Sequence, residues 1–252
     1  MADAAAPERR HGSIYVLAGC NGAGKSSIGG AALLECGVRF YNPDDAARRI
    51  AAANAHLNPP PTIGEANAAA WTQGRALLER AIDQHLDFAF ETTLGGQTIP
   101  EMLERAARER LAVHVWFAGL EHVKLHIERV QRRVARGGHD IPREKIVERY
   151  DSGRRNLIRL LPWLASVRLY DNSVEADPEE GLTPEPRLLL HCVEKRIVAP
   201  TKLRSLLADM PEWAKPMVVA ALDLHLRAAG GYDATEAGRR LPDKQRSRDN
   251  RS

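Results

Sequence analysis

The chain has 252 residues, 44% of them hydrophobic, and a formal net charge of +3. That much apolar material suits one ordinary α/β domain with appendages and excludes wholesale disorder. No apolar run approaches the roughly 18 residues that span a bilayer, and three cysteines without metal-site spacing read as reduced thiols, so a cytoplasmic protein without a membrane segment is expected.

Residues 1–12 read as a disordered leader that lacks the apolar middle of a secretory signal. Ile14 to Ala18 is a short apolar run, the pattern of a buried strand. Gly19 to Gly24 is a loop, and Lys25 to Cys36 a helix. Val38 to Tyr41 is a second strand, ended by Asn42-Pro43. Asp44 or Asp45 then caps a helix over 45–55. Three consecutive prolines make 56–62 a loop. Glu65 to Gln84 is a long helix, Phe88 to Glu91 a third strand, Thr92 to Gln97 a turn and Pro100 to Arg110 a helix. Ala112 to Phe117, rich in β-branched and aromatic residues, is a fourth strand. Helices follow over 121–136 and 142–161, then a fifth strand at Val167 to Tyr170. This alternation predicts a parallel sheet with helices on both faces, over residues 13–180. In the extension 181–229, Arg187 to Val193 and Arg196 to Val198 read as a strand pair. Lys202 to Leu207 and Glu212 to Ala228 read as helices there. Residues 230–252 are polar and read as a flexible tail.

The segment Gly19-Cys20-Asn21-Gly22-Ala23-Gly24-Lys25-Ser26 satisfies G-x-x-x-x-G-K-[ST] in full. Glycines let the backbone curl so that successive N–H groups point at phosphate oxygens, and the helix that follows aims its positive end at the same point. Residues Gly19, Asn21, Gly22, Ala23, Gly24, Lys25, Ser26 and Ser27 are therefore candidates to bind ATP or GTP. Lys25 should reach the β- and γ-phosphates, and the Ser26 hydroxyl should hold Mg2+. Cys20 is a spacer in the loop, since no base neighbours it in sequence.

Such a loop serves kinases and hydrolases alike. The ends of the second and third strands carry polar groups at the rim where an open parallel sheet binds its ligands. Asp44 there is either a base for an attacking hydroxyl or a helix cap. Asn42 lies beside it. Glu91 would hold the acceptor or stand behind the metal. Thr92 and Thr93 offer hydroxyls to the acceptor or cap the turn at Gly95-Gly96.

Residues 128–159 hold ten Lys/Arg against five Asp/Glu, a local net of +5, so most of the positive charge sits in one segment. Arg129, Arg132, Arg133 and Arg136 share one helical face, within an arc of about 100°. Gly137-Gly138 breaks that helix and Pro142 restarts it. The pattern reads either as a solvated basic face or as an arginine lid that closes on a transferred phosphoryl group. Arg133, Arg136 and Arg149 are the candidates to touch phosphate. His139 reads as a hinge or surface residue.

In order, the phosphate loop, Asn42-x-Asp44, Glu91-Thr92-Thr93, Arg133-Val134-x-Arg136-Gly137-Gly138-His139, Arg149-Tyr150 and Asp171-Asn172-Ser173 resemble the zeta-toxin family of P-loop kinases, over residues 13–173. The resemblance implies transfer of the γ-phosphate to the sugar of UDP-N-acetylglucosamine and a partner antitoxin. It implies that Asp44 is the base, that Glu91 and Thr93 lie in the acceptor pocket, and that arginines among Arg133, Arg136 and Arg149 clamp phosphates. The expectation is thus a phosphotransferase acting on a small molecule. The alternatives are a nucleotide-hydrolysing switch and a kinase acting on a nucleic-acid end or another metabolite. Nucleic-acid binding as the main function is not expected, because the basic segment has little aromatic interleaving and no reading motif.

Overall fold

The computed structural model describes residues 12–26, 28–29, 38, 40–174, 185–202, 206–208 and 210–230. Ser27, residues 1–11 of the expected leader 1–12, most of the helix expected to end at Cys36, residues 175–184 and the tail from 231 lie outside the described residues. Seven strands form one sheet in the order β2-β3-β1-β4-β5-β6-β7. They are β1 (Ser13–Ala18), β2 (Phe40–Tyr41), β3 (Phe88–Thr92), β4 (Ala112–Gly119), β5 (Ser166–Asp171), β6 (Arg187–Val193) and β7 (Arg196–Ala199). The first five pair in parallel, as alternation with helices requires. β6 and β7 add to the edge antiparallel, so the sheet is mixed rather than wholly parallel. For β7 against β6 the reason is local: the two are joined by the two-residue turn Glu194-Lys195, which leaves no room for a crossover helix.

Six helices are labelled: α1 (Pro43–Ala53), α2 (Ile63–Asp83), α3 (Thr98–Arg108), α4 (Val123–Ala135), α5 (Arg143–Leu160) and α6 (Lys215–Ala228). Lys25, Ser26, Ile28 and Gly29 are also helical. Most boundaries fall within two residues of expectation. The expected helix over Lys202–Leu207 is not helical at its described residues, where Leu206 to Ala208 form a turn. Leu206 and Met210 are instead drawn into the core.

Two caps explain where α1 and α2 begin. Asn42, not Asp44 or Asp45, caps α1: its side-chain oxygen accepts from both aspartate amides, and Pro43 opens the helix where no donor is needed. Thr62 and Glu65 form a reciprocal capping box on α2. Period-2 alternation sends Ile14, Val16 and Ala18, with Val113, Val115 and Phe117, to one face of the sheet. There they pack against α2, α3, α5 and α6 through residues such as Leu78, Leu103, Leu157 and Met217. Leu17, Ala89, Trp116 and Ala118 face the other way and meet Ile28 just after the phosphate loop. The C-terminal hairpin and α6 share the main core, with Trp213 only 2% exposed. Among the described residues, no helix is long and apolar enough to cross a membrane.

Candidate active site

Parallel pairing puts the C-terminal ends of β1 to β5 on one edge of the sheet, and β1 lies between β3 and β4. The loop after β1 therefore sits where the strand order reverses, the position open α/β sheets use for ligands. That loop is Gly19 to Gly24. Gly22 and Gly24 have φ of 79° and 73°, in the left-handed region that favours glycine. A Cβ on Gly24 would stand 2.2 Å from Asn172 Nδ2, so a larger residue would also displace that side chain. The result is a tight cradle closed by the Ala23 amide, which donates to Cys20 O at 3.1 Å.

Lys25 is 7% exposed and folds back over this cradle. Its ammonium donates to Gly19 O at 2.9 Å and Cys20 O at 3.3 Å. It also pairs with Glu91 Oε1 at 3.3 Å. The other carboxylate oxygen of Glu91 accepts from Asn42 Nδ2 at 3.1 Å. A continuous chain of contacts thus runs from the phosphate loop through the end of β3 to the cap of α1. Asp44, two residues past that cap, is consequently on the same rim. Ser26 is exposed at the start of its helix.

Because Asn42 takes the capping duty, the Asp44 carboxylate is left outside the helix start and half-exposed. It faces Arg133, Nη1 to Oδ2, at 3.9 Å. Asp45 instead pairs with Arg48. Asp44 and Arg133 both line a cleft of about 990 Å³. Arg129, Arg132 and Arg136 line it with Arg133, so the shared helical face read from the sequence points into a cavity. The Gly137-Gly138 break closes α4 with two hydrogen bonds, Gly138 N to Arg133 O at 2.9 Å and Gly137 N to Val134 O at 2.8 Å. Arg133 Nη2 reaches across that turn to His139 O at 3.0 Å. His139 lines the cleft and approaches Asn67 Nδ2 at 3.4 Å.

The other candidates divide. Arg149 is drawn to the phosphate loop, donating to Asn21 Oδ1 at 2.9 Å, and does not line the arginine cleft. Thr92 and Thr93 accept, through their hydroxyls, from Leu94 N at 3.1 Å and Gly95 N at 3.4 Å. They order the turn and keep their own protons available to donate. Cys20 is buried, its thiol pushed up to about 11 by burial, and it contacts Ile146 O at 3.4 Å. That is the behaviour of a packing residue rather than a nucleophile.

Three contacts were not legible in the sequence motifs. Asn156, on an otherwise apolar face of α5, donates to Leu94 O at 2.7 Å and Gly96 O at 2.9 Å and so pins the turn after β3. Arg129 donates to Asn172 O at 2.9 Å, and Asn172 Nδ2 donates to Ala23 O at 3.0 Å, which ties α4 and the end of β5 to the loop. His126, 1% exposed, sets Nδ1 2.8 Å from Asn21 O. The only advance signal for His126 and Asn156 was a polar side chain placed within an apolar helical stripe.

Among the described residues there is no cluster of His, Cys, Asp or Glu able to hold a metal by itself. A divalent ion here would have to share its ligands with bound phosphates, which suits Mg2+ beside one serine hydroxyl.

The chain is similar to known proteins in sequence and in fold. The family model described as Zeta toxin matches residues 1–174. An uncharacterized protein of Haemophilus influenzae is 31% identical over 137 residues, covering 52% of this chain and 88% of that protein. Among solved structures, the native AvrRxo1-ORF1:-ORF2 complex is similar with a TM-score of 0.57 at 13% identity, over 90% of this chain and 76% of that one. The AvrRxo1-ORF1:-ORF2 structure with ATP gives 0.55 at 14% identity, over 84% and 64%. At such identities the structures establish a shared fold.

Proposed function

The chain belongs to the zeta-toxin family of P-loop kinases, and from that premise we propose that it transfers the γ-phosphate of ATP or GTP to a hydroxyl of a small molecule. The observation that carries this reading is the Asp44 carboxylate facing Arg133 in the arginine-lined cleft, on the same rim as the Lys25 cradle. Phosphoryl transfer asks a protein mainly for positioning and for charge that meets the transferring group. Asp44 accepts the proton of the acceptor hydroxyl. Lys25 meets the β- and γ-phosphate oxygens once released from Gly19 O and Cys20 O. Arg133 and Arg136 neutralise charge on the group in flight, and Arg149 holds the loop through Asn21. Asn42 and Glu91 orient the acceptor side, with Thr92 and Thr93 donating hydroxyl protons there. The Ser26 hydroxyl would hold Mg2+, whose charge would offset that of the phosphates.

Two finer assignments belong to the same proposal. The acceptor is UDP-N-acetylglucosamine, as the family resemblance implies, and the large cationic cleft supports an anionic acceptor of that size. The partner is an antitoxin protein in the cytoplasm; a related structure solved as a two-component complex supports a protein partner. The test is to incubate the protein with γ-labelled ATP and Mg2+, with UDP-N-acetylglucosamine in one arm and a metabolite extract in the other. A labelled small molecule is the expected result. Vigorous phosphate release without any acceptor, and no labelled product in either arm, would overturn the proposal in favour of a hydrolase.

A further inference from the structure

The phosphate loop is gripped at its second variable position from two sides. Asn21 accepts on its side-chain oxygen from Arg149 of α5 and on its backbone oxygen from His126 of α4. The next residue, Gly22, lies so close to α4 that a Cβ there would stand 2.6 Å from His126 O. Ile127 and Val130 bury the same part of α4 against Cys20 and Ile146. The N-terminal half of the arginine helix is thus packed on the loop, and only its C-terminal half projects into the cleft.

We propose that His126 is a positioning residue for phosphoryl transfer, whose Nδ1–H locks the Asn21 carbonyl and so sets the distance between the phosphate cradle and the arginines of α4. The inference rests on the kinase reading above. A carbonyl opposite Nδ1 requires the proton on that nitrogen. Nε2 is buried and has no hydrogen-bond partner among the described residues, so no acceptor there competes for the ring proton. The Tyr150 ring meets the imidazole edge-on at 5.4 Å and fixes its plane. Seven helical residues, about 10 Å of rise, then separate this anchor from Arg133. The helix is a rigid ruler, so the anchor decides where the arginine faces Asp44. Burial holds the imidazole neutral through the working pH range, so the anchor does not titrate away near neutrality.

The test compares three variants of the full chain. His126→Asn keeps an N–H donor where Nδ1 stood. His126→Gln carries its amide one bond further out, and His126→Phe keeps the ring without a donor. Affinity for Mg·ADP is read by calorimetry, and transfer from γ-labelled ATP is split into kcat and KM. We expect Gln and Phe to lose about tenfold or more in kcat/KM, as loss of an orienting buried hydrogen bond does, and Asn to recover most of it. Equal loss in all three, or none in any, overturns the inference. Imidazole nitrogen resonances of the unmutated protein give a readout that does not depend on variant folding: a neutral ring protonated at Nε2 overturns it too. Failure of the unmutated chain to bind Mg·ADP would instead sink the kinase reading itself.

Discussion

Lys25 and Glu91 form an ion pair at 3.3 Å in which the lysine is almost wholly buried. The lysine is thereby poised over the cradle, and its charge is balanced by a group at the end of the neighbouring strand. Replacing Lys25 by Ala removes a cation in direct contact with the loop carbonyls Gly19 O and Cys20 O. Turnover of γ-labelled ATP should fall by about two to three orders of magnitude, comparable to losing a transition-state donor. Calorimetry with Mg·ADP should show weakened binding as well, since the proposed role of Lys25 includes contact with the β-phosphate of the bound nucleotide.

Asp44→Asn should behave differently. The side chain keeps its shape, and the cap of α1 is Asn42, so the helix start is untouched. Nucleotide affinity should stay within about twofold while transfer falls by about 10²- to 10⁴-fold, the range for loss of a general base. Transfer to the acceptor at the normal rate would remove Asp44 from the mechanism.

Arg133→Lys tests whether the planar fork matters. Arg133 Nη2 donates to His139 O while Nη1 faces Asp44. A lysine ammonium is a point charge and cannot span both directions at once. The kcat for γ-phosphate transfer should fall about tenfold or more, with a smaller change in nucleotide KM, if the guanidinium acts chiefly in the transition state.

Acid should unfold the protein through His126. Burial is the main cause that lowers its pKa from the ordinary 6.5 to about 4, with Lys25, Arg129 and Arg154 adding to it and the Asn21 hydrogen bond opposing. Between those two pH values the unfolded chain takes up a proton that the folded one refuses, so stability falls as pH drops from about 6.5 towards 4. The difference amounts to about 3 kcal/mol over that window, at about 1.4 kcal/mol per unit. Denaturant unfolding at pH 7 and pH 4.5 measures it, and His126→Asn should remove this part of the acid sensitivity.

Trp213 ties the C-terminal segment to the site-bearing sheet. A Cβ on Gly119 would stand 2.2 Å from the Trp213 ring, so strand β4 and the segment before α6 are in direct contact. Trp213→Ala should cost about 3–5 kcal/mol, the price of deleting a large buried aromatic, read as a drop in the denaturant midpoint. A loss under about 1 kcal/mol would mean that the extension is not part of the folding unit.

The sequence alone determined the phosphate loop, the five parallel strands and the arginine face. Those are local facts: a fixed motif and the 2 and 3.6 periods of apolar residues carry them without long-range information. It also carried the choice of residues at Asp44 and Glu91, because an open parallel sheet must present its strand ends on one rim. It left the role of Asp44 open between base and cap, because Asn42, Asp44 and Asp45 are all good cap formers. Only the fold assigned the cap to Asn42, since that side chain alone bridges the helix start and Glu91. The antiparallel edge, the core shared by the C-terminal hairpin and α6, and the grip of His126, Arg149 and Asn172 on the loop were likewise decided by tertiary structure. Each depends on residues 43 to 149 positions apart in the chain, or on which strand pairs with which, and no local pattern encodes such distances.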